Sequence, residues 1–274
     1  MKIKPISVYF TYTWIVLFGL IPISLIFIVS FLTYNPLHLA SLPLTLQNYT
    51  ALLSPFIAKV FWRSTVMAGT ATLICLILAY PLSYILLKSK YQTLWLFLII
   101  IPFWTSSLIR TYSLISMLKV HGLINTVLIK LHLITQPIVF LYSNFAVMCG
   151  LVYNLLPFMV LPIFSNMERF DFRLIEAAQD LGAPRGLIFF RVFLPNTLAG
   201  IIAGSLMVFL PAMTLFYIPD ILGGARSVLI GNVIQNQFLI VENWPQGAAI
   251  SMVLTLLLIL SFCFYRPNQR GGLR

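Results

Sequence analysis

The chain has 274 residues, of which 60% are hydrophobic and only 8% are charged, and its formal net charge is +11. About a quarter of the residues of a soluble domain are normally charged, so this composition excludes a water-covered globular protein and indicates that lipid covers most of the surface. The basic residues lie scattered at the ends of apolar segments instead of on one polar face, which favours a role in membrane topology over nucleic-acid binding.

Six apolar runs predict six transmembrane helices, because about 20 apolar residues are enough for a helix to cross a bilayer. The first run is too long for the core of a signal peptide and has no A-x-A cleavage pattern, so we expect it to be an uncleaved span. The third run contains Pro102 and Arg110, which predict a break before Arg110. We therefore expect an all-α membrane protein with a single transmembrane domain over residues 1–274. The predicted spans are residues 8–34, 60–87, 91–118, 138–164, 196–221 and 247–265.

The basic residues that flank these spans predict the orientation of the chain. With a cytoplasmic N-terminus, eleven Lys and Arg residues fall on the inner side and six on the outer side. Cytoplasmic loops carry an excess of Lys and Arg, so we predict that both termini are cytoplasmic. Lys119 and Lys130 run against this rule, but their long loop is compatible with a helix that lies flat at the interface.

Cysteine and histidine residues give no sign of a metal or redox site. The three cysteines, Cys75, Cys149 and Cys263, lie inside apolar runs without a CxxC pair, which is typical of small packing residues. The three histidines fall in connecting segments and lack metal-ligand spacing. We therefore expect no metal site in this chain.

The predicted cytoplasmic loop between the fourth and fifth spans, residues 165–195, concentrates the acidic residues. The chain has six Asp and Glu residues, and four of them lie in this loop together with four arginines. The four are Glu168, Asp171, Glu176 and Asp180. A charged helical turn below a membrane domain is one interpretation, as a docking surface for another protein. An ordinary solvated loop is the other.

Local signals divide this loop into two short helices. Asp171 is a candidate cap for a first helix over residues 173–181. Gly182 is expected to end that helix, because glycine tolerates a positive φ. Pro184 fits the first turn of a second helix, and Pro195 is expected to mark the junction of that helix with the fifth span.

Part of the loop matches a known motif. Glu176, Ala177, Ala178 and Gly182 are spaced as E-A-A-x-x-x-G, and the hydrophobic–proline pair at 194–195 follows. The loop therefore resembles the EAA loop of ABC importer permeases. Other stretches look like the spermidine/putrescine permeases of that family, and together they extend the likeness to most of the chain. These transport systems have two permease subunits. The chain looks most similar to the first one, usually called the B subunit. These stretches are TLQNYTALL from Thr45, IPFWTSSLIRTYS from Ile101, GLVYNLLPFMVLPIFSNME from Gly150, LPAMTLFYIPDILGGA from Leu210 and LIGNVIQNQF from Leu229.

This resemblance implies the six-helix ABC importer permease fold, in which the loop forms a coupling helix that docks in a groove of a cytoplasmic ATPase. The small side chains of the motif would let the partner surface approach closely. The residues implied in ATPase coupling are Glu176, Ala177, Ala178, Asp180, Gly182 and Arg185.

The same resemblance implies a polyamine importer with several other subunits in the bacterial inner membrane. The expected partners are a second permease, two copies of the ATPase and an extracytoplasmic polyamine-binding protein. The chain has no G-x-x-x-x-G-K-[ST] segment and no Ser-His-Asp set. We therefore expect this chain not to be an enzyme itself, and we expect ATP and Mg²⁺ to bind to the partner ATPase.

A pathway for polyamine cations needs carboxylates or carbonyl dipoles, and aromatic faces for cation–π contacts. Asp220 is the candidate carboxylate at the end of the fifth span, and it directly follows Phe216, Tyr217 and Pro219. We expect Pro219 to interrupt the helix and to free carbonyl groups that face a cation. The alternative is that Asp220 lies at the outer interface and pairs with Arg226.

Two further residues are candidates for the pathway. Trp104 lies in the broken third span beside Thr105, Ser106 and Ser107, although aromatic residues at this depth are more often interfacial anchors. Glu242, in VENWPQG, is the second candidate. A contact with the binding protein, or plain solvation, is the alternative for Glu242.

Other functions remain open at this point. An ABC permease for an anion or ferric iron is the first alternative, although the spans contain almost no basic residues away from their ends. An ion channel is the second, and it would require a pore motif repeated by symmetry but no docking loop. A membrane enzyme is the third, and it lacks a catalytic cluster in this sequence.

Overall fold

The computed structural model describes residues 5–36, 39–224 and 227–264, and nearly all of its regular structure is helical. Arg226, His38, the side chain of Cys263 and both chain termini lie outside the part that is described. The α-helices in chain order are α1 (Pro5–Ile15), α2 (Ile21–Val29), α3 (Gln47–Ala51), α4 (Pro55–Lys88), α5 (Gln92–Ile100), α6 (Ser107–Leu118), α7 (Leu123–Lys130), α8 (Asn144–Glu168), α9 (Arg173–Asp180), α10 (Arg185–Ile188), α11 (Leu194–Thr214), α12 (Ile230–Leu239) and α13 (Trp244–Phe264).

Short 3₁₀ and π turns join several of these helices. A π turn links α1 to α2, a 3₁₀ turn follows α5, and two further π turns precede and follow α11. These turns occupy Val16–Leu20, Ile101–Trp104, Phe189–Phe193 and Pro219–Gly223. The π turns Val16–Leu20 and Phe189–Phe193 shift the hydrogen-bonding register without ending the helix, whereas the other two turns lie where a helix breaks.

A small antiparallel hairpin, not predicted from the sequence, follows α2. Its strands are β1 (Leu32–Thr33) and β2 (Ser41–Leu44). The Asn48 side chain donates hydrogen bonds to the carbonyl oxygens of Ser30 and Leu32 at 2.9 Å each. The helix of the first predicted span therefore ends at Val29, the last residue of α2, instead of residue 34. Beyond that point, hydrogen bonds from a side chain replace helical ones.

Five helical segments within the described residues are long and apolar enough to cross a membrane. Two shorter apolar segments, Gln92–Trp104 and Trp244–Leu257, accompany them. The helical fold class is therefore confirmed, whereas the number of six spans stays a prediction. The five segments are Tyr9–Val29, Pro55–Lys88, Ser107–Lys130, Asn144–Glu168 and Arg185–Thr214.

The surface of these helices is apolar. On α4, for example, Leu73, Ile77 and Ile85 are 56%, 62% and 64% exposed. Large apolar surfaces of this kind are unfavourable in water and mark contact with lipid or with another protein. The apolar helices therefore fit a membrane protein.

The chain forms two compact units, of which the first comprises residues 1–60 and 230–274 and the second comprises Phe61–Leu229. In the first unit α13 packs against α2, α3 and α12. Gly247 lets the ring of Phe238 come so close that a β-carbon on residue 247 would lie 2.8 Å from it. The single domain over residues 1–274 remains a prediction.

The second unit is built on the pair of helices α8 and α11. Gly200 and Gly204 of α11 lie directly against α8, where an added β-carbon would come within 2.9 Å of the Pro162 carbonyl oxygen and 3.1 Å of the Met159 carbonyl oxygen. Leu151 and Ile163 are fully buried. Small residues therefore allow close helix packing, as in other membrane proteins.

Two predicted spans have different boundaries in the structure. The helix of the fourth span, α8, covers Asn144–Glu168 instead of 138–164. The Ser143 hydroxyl accepts a hydrogen bond from the Ala146 amide and so caps the start of α8. The helix of the fifth span begins at Arg185 instead of residue 196 and ends at Thr214 instead of 221. The loop between them is therefore shorter than the predicted 165–195.

Candidate functional site: the coupling loop and the pathway residues

The first helix of the loop, α9, begins at Arg173 as the sequence predicts, but its N-cap is Phe172 and not Asp171. The Asp171 carboxylate accepts a hydrogen bond from the Arg173 amide at 3.0 Å, and the Asp171 carbonyl accepts one from the Leu174 amide at 3.2 Å. Glu176 lies in the first turn, where a negative charge interacts favourably with the helix dipole. The acidic side chains therefore help to define the start of α9.

Gly182 ends α9 with a positive φ of +77°, as predicted. The Gly182 amide donates to the Gln179 carbonyl at 2.8 Å, and the Ala183 amide donates to the Ala178 carbonyl at 3.1 Å. These two bonds form a Schellman motif, in which glycine is the favoured residue because it carries no β-carbon. The space around Gly182 is open, so its backbone conformation is what requires glycine.

The second helix of the loop differs from the prediction in two details. Pro184 is the N-cap of α10, with extended backbone angles, and does not lie in the first turn. Pro195 does not mark a junction, because one continuous helical segment runs through Arg185–Thr214. The π turn before α11 changes the bonding register and places Pro195 in the first turn of α11, where a missing amide hydrogen is tolerated.

The outer face of α9 is open. Glu176, Ala177 and Asp180 are exposed, and Leu181 just beyond the helix is 87% exposed. Among the residues described, the carboxylates of Glu176 and Asp180 form no ion pair, although Arg173 lies on the same helix. The predicted coupling residues thus present a charged surface with small side chains at its centre.

The predicted pathway residues Phe216, Tyr217 and Asp220 lie together in the segment that follows α11. The helix breaks at Leu215, which has extended backbone angles, four residues before Pro219. Pro219 explains this position. In an unbroken helix the Leu215 carbonyl would accept a hydrogen bond from the amide of residue 219, and proline has no amide hydrogen to donate. Pro219 itself begins the π turn that carries Asp220, so the interruption precedes the predicted site.

This π turn packs tightly on α8. A β-carbon on Gly150 would lie 2.9 Å from the Ile218 side chain, and the Tyr142 amide donates to the Leu222 carbonyl at 2.8 Å. Asp220 is exposed, and the rings of Phe216 and Tyr217 lie 6.1 Å apart, edge to face. The structure therefore brings a carboxylate and two aromatic rings into one short segment.

Trp104 and Glu242 lie in other parts of the chain. Trp104 ends the 3₁₀ turn, is 75% exposed and contacts the ring of Phe97 at 5.7 Å. The third span is broken at Thr105, as predicted before Arg110, and the Thr105 hydroxyl donates to the Pro102 carbonyl. Glu242 is exposed at a positive φ of 56° between α12 and α13, in the first unit of the chain.

Arg110, which the sequence pattern indicates only as a topology signal and as the residue after a helix break, is a buried charge. Its guanidinium stacks over the ring of Phe103 at 4.6 Å, and its Nε atom has no hydrogen-bond partner among the described residues. On the next residue, the Thr111 hydroxyl accepts a hydrogen bond from the Asn154 side chain at 3.4 Å. An arginine inside an apolar run, two turns after a proline, is the signal that could have indicated this polar cluster.

The fold of this chain is that of ABC transporter chains of known structure, and its loop carries the E-A-A-x-x-x-G spacing. A chain of a bacterial alginate ABC transporter, solved in complex with an alginate pentasaccharide-bound periplasmic protein, has the same fold, with a TM-score of 0.75 over 94% of this chain and 90% of that chain. The two sequences are 15% identical, so this likeness concerns the fold alone. No family model matches the chain.

Curated relatives define the family more narrowly. The chain is 49% identical to the spermidine/putrescine transport system permease protein PotB of Haemophilus influenzae, over 98% of this chain and 95% of that protein. It is 48% identical to the protein of the same name from Escherichia coli, over 94% of both chains. The chain therefore belongs to the PotB family of spermidine/putrescine transport system permeases.

Proposed function

We propose that this chain is a transmembrane permease subunit of an ATP-driven polyamine importer. The observation that carries this conclusion is the identity of nearly one half, over almost the full length, with permeases of spermidine/putrescine transport systems. This function needs a surface on which an ATPase can dock. The open face of α9 offers such a surface, with the E-A-A-x-x-x-G residues in a helix that ends at Gly182.

In this proposal α9 is the coupling helix and docks in a groove of a separate ATPase, of which the importer contains two copies. Glu176, Asp180 and Arg185 offer charges to that groove, and Ala177 and Ala178 allow close approach. ATP and Mg²⁺ bind to the ATPase and not to this chain. A second, different permease completes the translocation pathway.

The polyamine enters from an extracytoplasmic binding protein and passes Asp220. A carboxylate forms charge-assisted hydrogen bonds with substrate ammonium groups, and the rings of Phe216 and Tyr217 add cation–π contacts of about 0.5–2 kcal/mol each. Trp104 and Glu242 contribute further contacts along the pathway. The broken helix before Asp220 supports this role, because carbonyl groups freed by Pro219 face cations favourably.

We place the chain in the inner membrane, with both termini and α9 on the cytoplasmic side and Asp220 on the opposite side. The excess of basic residues on the inner side supports this orientation. One of the relatives, 28% identical, is named an inner membrane ABC transporter permease, which agrees with the location.

Uptake in cells tests the proposal. Deletion of this chain should abolish uptake of labelled spermidine or putrescine, and the wild-type chain should restore it. The Glu176→Lys variant should reach the membrane in normal amount but restore little uptake, and less ATPase should co-purify with it, because the substitution reverses the charge at the docking surface. Uptake that survives the deletion, or a Glu176→Lys variant that transports normally at normal expression, would contradict the proposal.

A further inference from the structure

A cavity of about 760 Å³ lies on the inner side of the coupling loop, away from the open face of α9. Its walls come from the C-terminal part of α4, from α9, and from the segment that joins α10 to α11. The side chains that decide its chemistry are Tyr80, Tyr84, Lys88, Gln179, Arg185 and Phe193. All of these residues belong to the second compact unit of the chain.

The floor of this cavity is a cluster of aromatic rings around Phe193, which is only 3% exposed. The rings of Tyr84 and Phe170 lie 5.7 and 5.2 Å from the Phe193 ring, and both meet it edge to face. Tyr80 joins the cluster at 6.3 Å and is fixed by a 3.0 Å hydrogen bond to the Thr197 hydroxyl. These contacts hold a preformed apolar wall, which is a property of small-molecule sites.

The rim of the cavity is cationic. The Lys88 ammonium lies 4.5 Å from the centre of the Tyr84 ring, and Arg185 lines the opposite side at the start of α10. Neither side chain forms an ion pair with any residue that the structure describes, and no Asp or Glu lines the cavity. Two exposed positive charges beside an aromatic wall attract a partner that is both anionic and apolar.

The position of the two cations matches the edge of a membrane. Lys88 ends one helix of membrane-spanning length, Pro55–Lys88, and Arg185 begins another, Arg185–Thr214. Tyr80 lies eight residues before Lys88 on the same helix, which is about 12 Å toward the apolar part of the span. The cavity therefore offers charge at the ends of two segments of membrane-spanning length and apolar contact further along one of them.

We propose that this cavity binds an anionic phospholipid, with its phosphate at Lys88 and Arg185 and its acyl chain against Tyr80 and Phe193. Basic pockets between transmembrane helices bind anionic lipid headgroups in this manner. A free anion such as inorganic phosphate would meet the same two charges but would leave the aromatic wall in contact with water. A bound lipid would contact both the end of α4 and the coupling loop. The position of α9 would therefore depend on the lipid composition of the membrane.

Native mass spectrometry of the intact membrane complex in a non-ionic detergent tests this proposal. Phosphatidylglycerol is added at increasing concentration, and phosphatidylcholine serves as the zwitterionic control. We expect one tightly retained phosphatidylglycerol per copy of this chain, little retained phosphatidylcholine, and no displacement of the lipid by inorganic phosphate. Each cation is expected to contribute about fivefold to retention, so the pair Lys88→Gln and Arg185→Gln should weaken it about 25-fold.

Two matched variants keep this test decisive. Lys90→Gln with Arg191→Gln removes the same charge from two exposed residues that do not line the cavity, and it should leave retention unchanged. Lys88→Arg with Arg185→Lys keeps both charges and should retain the lipid. Because Arg185 is also a proposed coupling residue, the measured quantity is lipid retention and not transport.

Three results would overturn the proposal. The first is equal retention of phosphatidylglycerol and phosphatidylcholine. The second is unchanged retention in the Lys88→Gln and Arg185→Gln variant. The third is retention by the permease without its ATPase but not by the complete complex, which would identify the cavity as a groove for a protein partner.

Discussion

At the scale of single residues, Asp220 combines three features that a cation pathway needs. It is an exposed carboxylate, it follows two aromatic residues, and it lies on a π turn directly after a broken helix. Close packing of this turn on Gly150 fixes its position, so the carboxylate is held in place while remaining accessible. The proposed contact with the substrate can therefore be tested without disturbing the packed side of the turn.

The substitution Asp220→Asn should slow polyamine uptake by about tenfold to a hundredfold, because an amide cannot replace a charge-assisted hydrogen bond of roughly 1.5–3 kcal/mol. Asp220→Glu should retain part of the activity. Initial rates of labelled spermidine uptake, at matched expression, measure both effects. Glu242→Gln, at the other proposed pathway carboxylate, serves as the comparison and should have a milder effect. A wild-type rate and Michaelis constant for Asp220→Asn would leave Asp220 as an interfacial residue without a role in transport.

At the scale of elements, α9 and its ending at Gly182 determine how the coupling surface is presented. The two bonds of the Schellman motif turn the chain from α9 toward α10 within four residues. The space around Gly182 is open, so a larger side chain there would act through the backbone and not through a clash within this chain.

The substitution Gly182→Val should weaken ATPase co-purification and transport while the chain still inserts. A β-branched residue at φ +77° costs about 1 kcal/mol or more. Gly182→Asn should be tolerated much better, because asparagine accepts this conformation at lower cost. Gly186→Ala, at a nearby exposed glycine without positive φ, is the matched control and should have no effect. Equal activity of the valine and asparagine variants would show that the turn does not control coupling.

The pair of helices α8 and α11 makes a separate prediction about stability. Gly200→Ala should lower the thermal stability of the purified protein, because the new β-carbon would lie 2.9 Å from the Pro162 carbonyl oxygen and overpacking costs about 1–3 kcal/mol. Gly69→Ala has no atom within 4 Å of its new β-carbon and should be neutral or slightly stabilising. A thermal-shift measurement that ranks both variants alike would contradict this view of the helix contact.

The elements also show how far the sequence predicts this structure. Apolar runs locate the helices, and the Asp171 and Gly182 signals correctly bound α9, because these are local effects of composition and backbone geometry. The effect of Pro219 appears four residues earlier, at Leu215, since the missing amide hydrogen acts on the preceding turn. The cavity at Lys88 depends on contacts between distant segments, for which the sequence carries no local pattern. The hairpin is local, but its strands of 2 and 4 residues are too short to show an alternating pattern.

At the scale of the whole molecule, the proposed orientation connects the two sites. Lys88 and α9 lie on the cytoplasmic side in this account, and Asp220 and Glu242 lie on the opposite side. ATP hydrolysis in the ATPase that docks at α9 then acts on a pathway that opens across the membrane, and the two sets of residues can be altered independently.

Reporter fusions test this orientation. Fusions after Lys88 and Arg185 should report a cytoplasmic location, and a fusion after Glu242 should report the opposite side. The segment with Lys119 and Lys130 is the most informative position, because its charge opposes the positive-inside rule and we nevertheless expect it outside. A cytoplasmic location for this segment would reverse the orientation of everything beyond the second span.

Transport by the purified complex tests the central claim most directly. The complex containing this chain would be placed in liposomes with ATP enclosed, and the binding protein and labelled spermidine would be added outside. We predict uptake that requires both ATP and the binding protein and that unlabelled putrescine inhibits, whereas an inorganic anion does not. A complex that hydrolyses ATP in response to another solute, and that accumulates no polyamine, would contradict the account.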